Sequence, residues 1–237
     1  MRMIIPRIWD PSDLTTGPDA WLTAARPDTF TTSGTDVTGW ADISGNGNDA
    51  SEASLYPELG GTTLNGFDLP YSNKDSRMIM TGFGQTQPHT IIVVSKRTAT
   101  GDKQRLCYGT GNAGNIGYNR NSIITAWSGE SISDGLVHTT ETNIVSCVYN
   151  GSSSKLRTGG KQRAFGNVGT SNPSLMHLFS NSSGGESFAG GIAEILFFNY
   201  GLSDSEMESV EGYLVWMWGI TTILDSDHPY KRIMPNV

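Results

Sequence analysis

Cysteine is nearly missing from this 237-residue chain, which holds only Cys107 and Cys147. Two thiols cannot make the multi-bridge framework on which small secreted domains depend. Both sit in apolar, strand-like runs, residues 105–108 and 144–148. Two buried free thiols are the expectation, and one bridge between neighbouring strands is the alternative. Charge is also scarce. Charged residues make up 16% of the chain, against about 25% in an average soluble domain. The basic residues are scattered, with 161–163 and 231–232 the densest groups, and the net charge is -7. A nucleic-acid-binding face needs concentrated Lys and Arg to displace counterions. Nucleic acid and anionic membranes are therefore excluded as partners, whereas a neutral partner such as a sugar is permitted. No apolar run approaches the ~20 residues of a membrane span. Residues 1–10 lack the apolar core of a signal peptide, so neither a transmembrane segment nor an export leader is expected.

Catalytic signatures are absent too. No Gly-x-Ser-x-Gly elbow accompanies His89, His138, His177 and His228. No His or Cys pair has zinc-ligand spacing. The glycines of 109–114 lack the Lys-Ser/Thr of a phosphate loop. A glycosidase needs two facing carboxylates, which a single strand supplies at period two. Glu194 stands alone on its strand, and Glu130, Glu141 and Glu186 lie in loop-like sequence. On these grounds the chain is expected not to be an enzyme.

Ser, Thr, Asn and Gly are abundant, together 94 residues. These types favour turns, and the good helix formers are sparse. Short strand signals alternate with turn signals at 20–23, 77–80, 90–95, 122–127, 143–149, 155–158, 161–165, 175–179 and 191–198. Asn150-Gly151 and Gly159-Gly160 are hairpin dipeptides. Many short strands at even spacing predict an all-β, two-sheet antiparallel jelly-roll sandwich. One helix is expected at about 204–218. Ser203 and Glu206 form a capping box, and Leu202 with Met207 can staple it. Met207, Val210, Leu214 and Met217 make its apolar stripe. Trp216 and Trp218 flank that stripe and are expected to pack in the core. Residues 1–19, with Pro6, Pro11 and Pro18, read as an extended N-terminal arm, and 20–237 as the jelly-roll domain.

Two segments carry a resemblance. The first includes Ala20-Trp21-Leu22, Val37-Thr-Gly-Trp40 and Asp42-Ile-Ser-Gly-Asn-Gly-Asn-Asp-Ala50. The second runs from Gly191-Ile-Ala-Glu-Ile-Leu-Phe-Phe198 through the helix to Asp227-His-Pro-Tyr230. Together they resemble the laminin-G-like, concanavalin A-like lectin/glucanase superfamily, in the version common in bacteriophage virion proteins and bacterial surface proteins. The resemblance implies the jelly roll, carbohydrate binding and sometimes structural calcium. The family usually has an acidic residue after Trp-Leu in the first strand; here it is Thr23, which puts a metal site using that carboxylate in doubt.

Two residue groups can carry such binding. Asp42, Asn46, Asn48 and Asp49 offer hard oxygen ligands for calcium in a Gly-rich loop. An ordinary turn whose side chains bond their own backbone is the alternative. Asn115, Tyr118, Asn119 and Arg120, with Trp127 a few residues on, mix amides, a guanidinium and aromatic faces in what reads as one loop region, as sugar recognition requires. The expected function is a non-enzymatic virion structural protein with a lectin-like domain, displayed on a phage tail or capsid. Its expected partners are other virion proteins, through the N-terminal arm, and a cell-surface glycan; a homo-oligomer is compatible. A secreted bacterial carbohydrate-binding or glycoside-hydrolase protein, and an interaction scaffold with no sugar ligand, are the alternatives.

Overall fold

The computed structural model describes residues 9–52, 54–73 and 75–236. Among the described residues, eighteen strands and one α-helix follow in chain order. They are β1 (Ala20–Thr23), β2 (Phe30–Ser33), β3 (Asp36–Trp40), β4 (Ala50–Ser51), β5 (Thr63–Leu64), β6 (Phe67–Asp68), β7 (Tyr71–Asn73), β8 (Met78–Met80) and β9 (His89–Arg97). Then come β10 (Gln104–Gly109), β11 (Ala113–Tyr118), β12 (Ile123–Trp127), β13 (Ser131–Val137), β14 (Thr142–Tyr149), β15 (Ser154–Thr158), β16 (Lys161–Gly166), β17 (Met176–Leu178), β18 (Ala189–Phe198) and α1 (Asp204–Met217). A seven-stranded sheet runs β1-β18-β9-β14-β15-β16, with β7 also on β18. A nine-stranded sheet runs β13-β12-β11-β10-β17-β8-β4-β3-β2, and β5-β6 form a small ribbon. The pairings between these named strands are antiparallel, as expected of the two-sheet sandwich, and one isolated bridge, Arg105 to Ser187, is parallel. No helix among the described residues is long and apolar enough to cross a membrane.

The sequence of β9 explains why the molecule has a third layer. Its run Thr-Ile-Ile-Val-Val-Ser is apolar on both faces and buried throughout. Successive side chains point to opposite faces. Ile91 and Val93 share the inner face with Cys147 and Val145 of β14, while Ile92 and Val94 share the outer face with Ser146 and Ile144. That outer face lies under α1. The capping box forms as expected, with Ser203 and Glu206 bonded reciprocally. Met207, Val210 and Leu214 are fully buried, but Met217 at the end of the stripe is exposed. Trp218 is buried, in edge contact with Phe67. The chain after α1 folds back over it. Gly212 permits this, because a Cβ there would come 2.6 Å from Tyr230.

Polar groups are buried at the helix–sheet contact. Glu211 falls inside the apolar stripe, is wholly buried and accepts hydrogen bonds from Arg157 Nε and Nη2 at 3.0 and 2.9 Å. Ser146 Oγ donates to it at 2.7 Å, and His228 Nε2 lies 3.2 Å away. Burial pushes the Glu211 carboxyl up, but the bonds from His228 and Arg157 outweigh it and hold the group below its usual range. Glu194, alone on its strand as read, is also fully inside. It accepts from the indole N–H of Trp21 and, at 2.6 Å, from that of Trp218. Burial pushes its pKa up to about 7.

Two expectations are corrected here. Residues 9–19 are not an extended arm: Asp10 caps a 3-10 turn at Pro11–Asp13, Trp9 packs edge-on against Tyr213, and Tyr200 donates to the Thr16 carbonyl. An apolar Trp and Leu14 find cover on the chain's own core. The rest of the proposed arm, residues 1–8, lies outside the described residues. Gly159-Gly160 forms the expected two-residue turn, with φ of 59° and 72°. Asn150-Gly151 instead opens a longer connection through a 3-10 turn at Gly151–Ser153. Cys107 and Cys147 are free and buried, and burial pushes the Cys107 thiol up to about 12.

Candidate functional site

The outer face of the nine-stranded sheet brings together part of the expected sugar-binding group. On β12, Ile124 and Ala126 point inward and are buried, so Thr125 and Trp127 point out. Trp127 is 38% exposed, the most open of the chain's described tryptophans, and opposes Ser131 of β13. Beside it, a cavity of about 200 Å³ is lined by Lys103, Arg105, Asn119, Thr125, Trp127 and Ser131. Arg105 reaches this face because it pairs with Gly117, whose added Cβ would come 2.1 Å from the Gln104 carbonyl. Glu186 holds the Arg105 guanidinium at 2.7 Å and lies 3.7 Å from the Lys103 ammonium. One carboxylate thus faces two cations. Asn119 Oδ1 accepts from the N–H groups of Asn121 and Ile123, which fixes the side chain and leaves its NH2 to donate. Arg120 is exposed, 3.7 Å from Asp102, and does not line this cavity.

Asn115 and Tyr118 are removed from this surface, a correction to the sequence reading. Residues 113–118 read as a loop because of their glycines and asparagine, yet they form the interior strand β11. Asn115 is 1% exposed, and its Oδ1 accepts from the Gly109 N–H at 2.9 Å. Tyr118 is wholly buried, stacked on Phe188 with the Arg97 guanidinium 4.1 Å from its ring centre. Neither can touch a ligand on the outer face.

The side chains of the Gly-rich loop are bonded within the loop and to the start of β1. Asp42 Oδ1 accepts from the N–H groups of Trp21 and Ser44, both at 2.8 Å, and Oδ2 from Ser44 Oγ and the Asn48 N–H. Asp49 Oδ1 accepts from the Asp42 N–H. Asn46 and Asn48 donate their amides to the Asp19 carbonyl. Both Asp42 oxygens and Asp49 Oδ1 thus help to tie the loop together and to β1, as Asx side chains do in turns. Among the described residues no group of three or more His, Cys, Asp or Glu is placed to hold a metal ion.

A larger cavity was not foreseen. About 480 Å³ in volume, it is lined by Asp36, Tyr56, Glu58, Tyr71 and Asp75 among others. Glu58 bridges Asp36 on one side and Tyr71 on the other. Glu58 and Tyr71 exchange both backbone hydrogen bonds at 2.9 Å. Asp36 and Glu58 exchange none, since the bonds run from Val37 to Pro57 and from Leu59 to Thr35. A pair of that kind has Cα atoms about 4.5 Å apart and its side chains closest. Two carboxylates directly opposite are destabilising, so local stability does not explain their placement. Tyr71 lies flat against Gly61, where a Cβ would come 2.2 Å from the ring. No signal in the sequence joins Asp36 to Glu58, because the facing pair arises between strands rather than along one.

No family model matches this sequence, and no curated protein matches it. Solved structures do. Domain 4 of AbnA, a GH43 extracellular arabinanase from Geobacillus stearothermophilus, in complex with arabinotriose, matches with a TM-score of 0.61 at 13% identity, over 82% of this chain and 98% of that one. A GH54 α-L-arabinofuranosidase matches with a TM-score of 0.63 at 15% identity, over 83% of this chain and 58% of that one. Trypanosoma rangeli sialidase in complex with sialic acid matches with a TM-score of 0.56 at 13% identity, over 87% and 33%. The chain therefore spans about a third of the sialidase and just over half of the arabinofuranosidase. At these identities the likeness is one of fold, a two-sheet β-sandwich. It corrects the expectation that the chain is not an enzyme. That expectation rested on missing motifs, and the fold is found in chains named as glycoside hydrolases and sialidases.

Proposed function

We propose that the chain is a carbohydrate-recognising β-sandwich module whose sugar seat is the outer face around Trp127. The carrying observation is one exposed indole beside Arg105, Lys103 and the Asn119 amide in a shared cavity. An aromatic face covers the apolar side of a sugar ring, and a few fixed donors orient its hydroxyls. The arabinotriose held by the AbnA domain supports the same class of ligand. Binding of arabinotriose, followed by calorimetry, should be lost in Trp127→Ala, with the circular dichroism and melting midpoint unchanged because this ring is outside the core. Binding that survived the substitution would place the sugar elsewhere.

Hydrolysis of a glycosidic bond is a second reading, favoured by Asp36 and Glu58. A retaining glycosidase needs two carboxyl groups about 5 Å apart, a separation that directly opposed side chains can meet. The cavity is large enough for a sugar residue, and Tyr71 offers an aromatic wall. On this reading the protein releases nitrophenol from 4-nitrophenyl arabinofuranoside. Asp36→Asn and Glu58→Gln should each lower that rate by about 100-fold or more, and both should still bind arabinotriose at the Trp127 face. A wild-type protein that released none would end this reading and leave the first intact.

The finer setting, a phage particle carrying many copies, follows the sequence resemblance rather than any neighbour named above. Many weak seats on one particle would gain by avidity. Mass spectrometry of purified particles is the direct check.

A further inference from the structure

The charges around Trp127 are not balanced, and the sheet register shows where the surplus lies. Arg105 of β10 pairs with Gly117 of β11, and Gly117 pairs with Thr125 of β12. Directly paired residues of antiparallel neighbours share a face. Arg105 and Thr125 therefore stand on the outer face, as does Trp127, two residues further along β12. The pair before them, Gln104 and Tyr118, faces the core and is buried. Adjacent strands lie about 4.8 Å apart, so Arg105 and Thr125 are about 10 Å apart across a residue with no side chain. Both line the cavity of about 200 Å³ beside Trp127.

The charged residues that line this cavity are Lys103 and Arg105, two cations, and no described acid lines it. Among the described residues, Glu186 is the one carboxylate in an ion pair with either. It lines the neighbouring hollow instead. Glu186 grips Arg105 twice: its Oε2 accepts from Nε at 2.7 Å, and its carbonyl accepts from the Arg105 N–H at 2.8 Å. To do so it holds φ at 52°, a left-handed backbone that is costly for a residue with a Cβ. The Arg105 side chain is thereby fixed, at 13% exposure. Its two Nη groups make no hydrogen bond among the described residues. Further out, Arg120 and Asp102 lie 3.7 Å apart and cancel. One positive charge is left over, on a chain whose net charge is -7.

We propose that the Trp127 seat selects an acidic sugar, a uronic acid residue whose carboxylate lies on the Nη edge of Arg105 with Lys103 beside it. The inference rests on the Trp127 reading and narrows its ligand class. The indole covers the ring, while the Asn119 amide and the Ser131 hydroxyl bond its hydroxyls. A guanidinium held through Nε keeps its outer edge for two parallel bonds, and a carboxylate is the planar group that matches that fork. A neutral sugar can stack on the same indole, but it leaves the surplus charge unanswered. A cationic ligand would meet two like charges.

The test is calorimetry of the full chain with trigalacturonate and with its methyl ester, the same trisaccharide with its carboxylates capped. At low ionic strength the acid should bind about tenfold or more tighter than the ester, the worth of hydrogen bonds to a charged group. That ratio should shrink as salt is added. Arg105→Gln should bring the ratio close to one. Because that change also unpairs Glu186, Lys103→Gln is the second variant; its ammonium is exposed, so it should melt as wild type does and still cut the ratio severalfold. Trp127→Ala should weaken both sugars. Equal affinity for acid and ester in wild type would overturn the inference, as would a ratio undiminished in both charge variants. Ester binding that was then lost in Trp127→Ala would leave the seat standing as a neutral one. If wild type bound neither probe, the acidic class would be wrong, and arabinotriose would decide the seat on its own.

Discussion

Glu211→Ala is expected to lower the unfolding free energy by about 3–5 kcal/mol, the cost of breaking a buried ion pair by removing one partner. For a chain of this size that moves the melting midpoint by on the order of 10 °C. The substitution leaves Arg157 charged and buried, with the Gly160 carbonyl at 2.6 Å, the half-buried Glu208 at 3.7 Å and the more distant charge of Asp204 to answer it. Ser146 and His228 lose their common acceptor as well. Urea unfolding is the measurement. The double variant Arg157→Met/Glu211→Leu decides the cause, because removing both charges removes the unpaired ion. It should recover most of the lost stability. A double variant as weak as the single one would mean that the loss came from packing beneath α1. The pair also sets a pH limit. The Glu211 carboxyl is held below its unfolded value of 4.5, so its contribution is present above that pH and is lost as pH falls through the folded value.

The position of Glu211 also shows how far the sequence could be read. Its place was visible, four residues after Met207 and three before Leu214, within the apolar stripe of a helix whose cap at Ser203 and start at Asp204 were expected. What hid its role was its partner set. Arg157, Ser146 and His228 come from two strands and the C-terminal segment, and no local spacing joins them. The sandwich was legible for a related reason. Strand periodicity is local, so the runs at 90–95, 143–149 and 191–198 declared themselves, and the Gly159-Gly160 turn carried its own chemistry. β11 was not legible. Gly114 and Gly117 read as loop-formers, whereas Gly117 is required because the neighbouring strand passes too close for a Cβ. Tertiary packing overrode propensity there, and it took Asn115 and Tyr118 out of the expected site. Trp127 and Asn119 stayed in it because alternation along β12 and the turn at 119–122 are again local. Asp36 faces Glu58 only through long-range pairing, which a single sequence does not reveal.

Glu194 gives the other large effect, and it runs against Glu211 in pH. Its folded pKa, about 7, lies above the unfolded 4.5 because burial disfavours the charge more than the bonds from Trp21, Trp218 and Thr23 favour it. For an acid raised in this way the folded state holds the proton more tightly. The stabilisation is complete below pH 4.5 and is lost as pH rises through 7. A shift of this size corresponds to about 3 kcal/mol, at about 1.4 kcal/mol per unit. The difference in unfolding free energy between wild type and Glu194→Gln should therefore change by about 3 kcal/mol, against wild type, between pH 4.5 and about pH 8. His138 adds to the same trend. Burial works to lower its pKa, but the bonds to Asp134 and Glu141 outweigh burial and raise it, so its contribution too fades as pH climbs above 6.5. Comparing variants at Glu194 cancels that background. An independent signal comes from the two indoles on the carboxyl, whose fluorescence should titrate with a midpoint near 7 in wild type and in Trp127→Ala, and stay level in Glu194→Gln. Emission that is flat across neutral pH in wild type would show that the carboxyl titrates outside that range, and the predicted loss of stability would go with it. If the trend holds, the fold is most stable where Glu211 is ionised and Glu194 is not. The Trp127 face carries no part of either cluster, so sugar binding there should be insensitive to this titration as long as the chain stays folded.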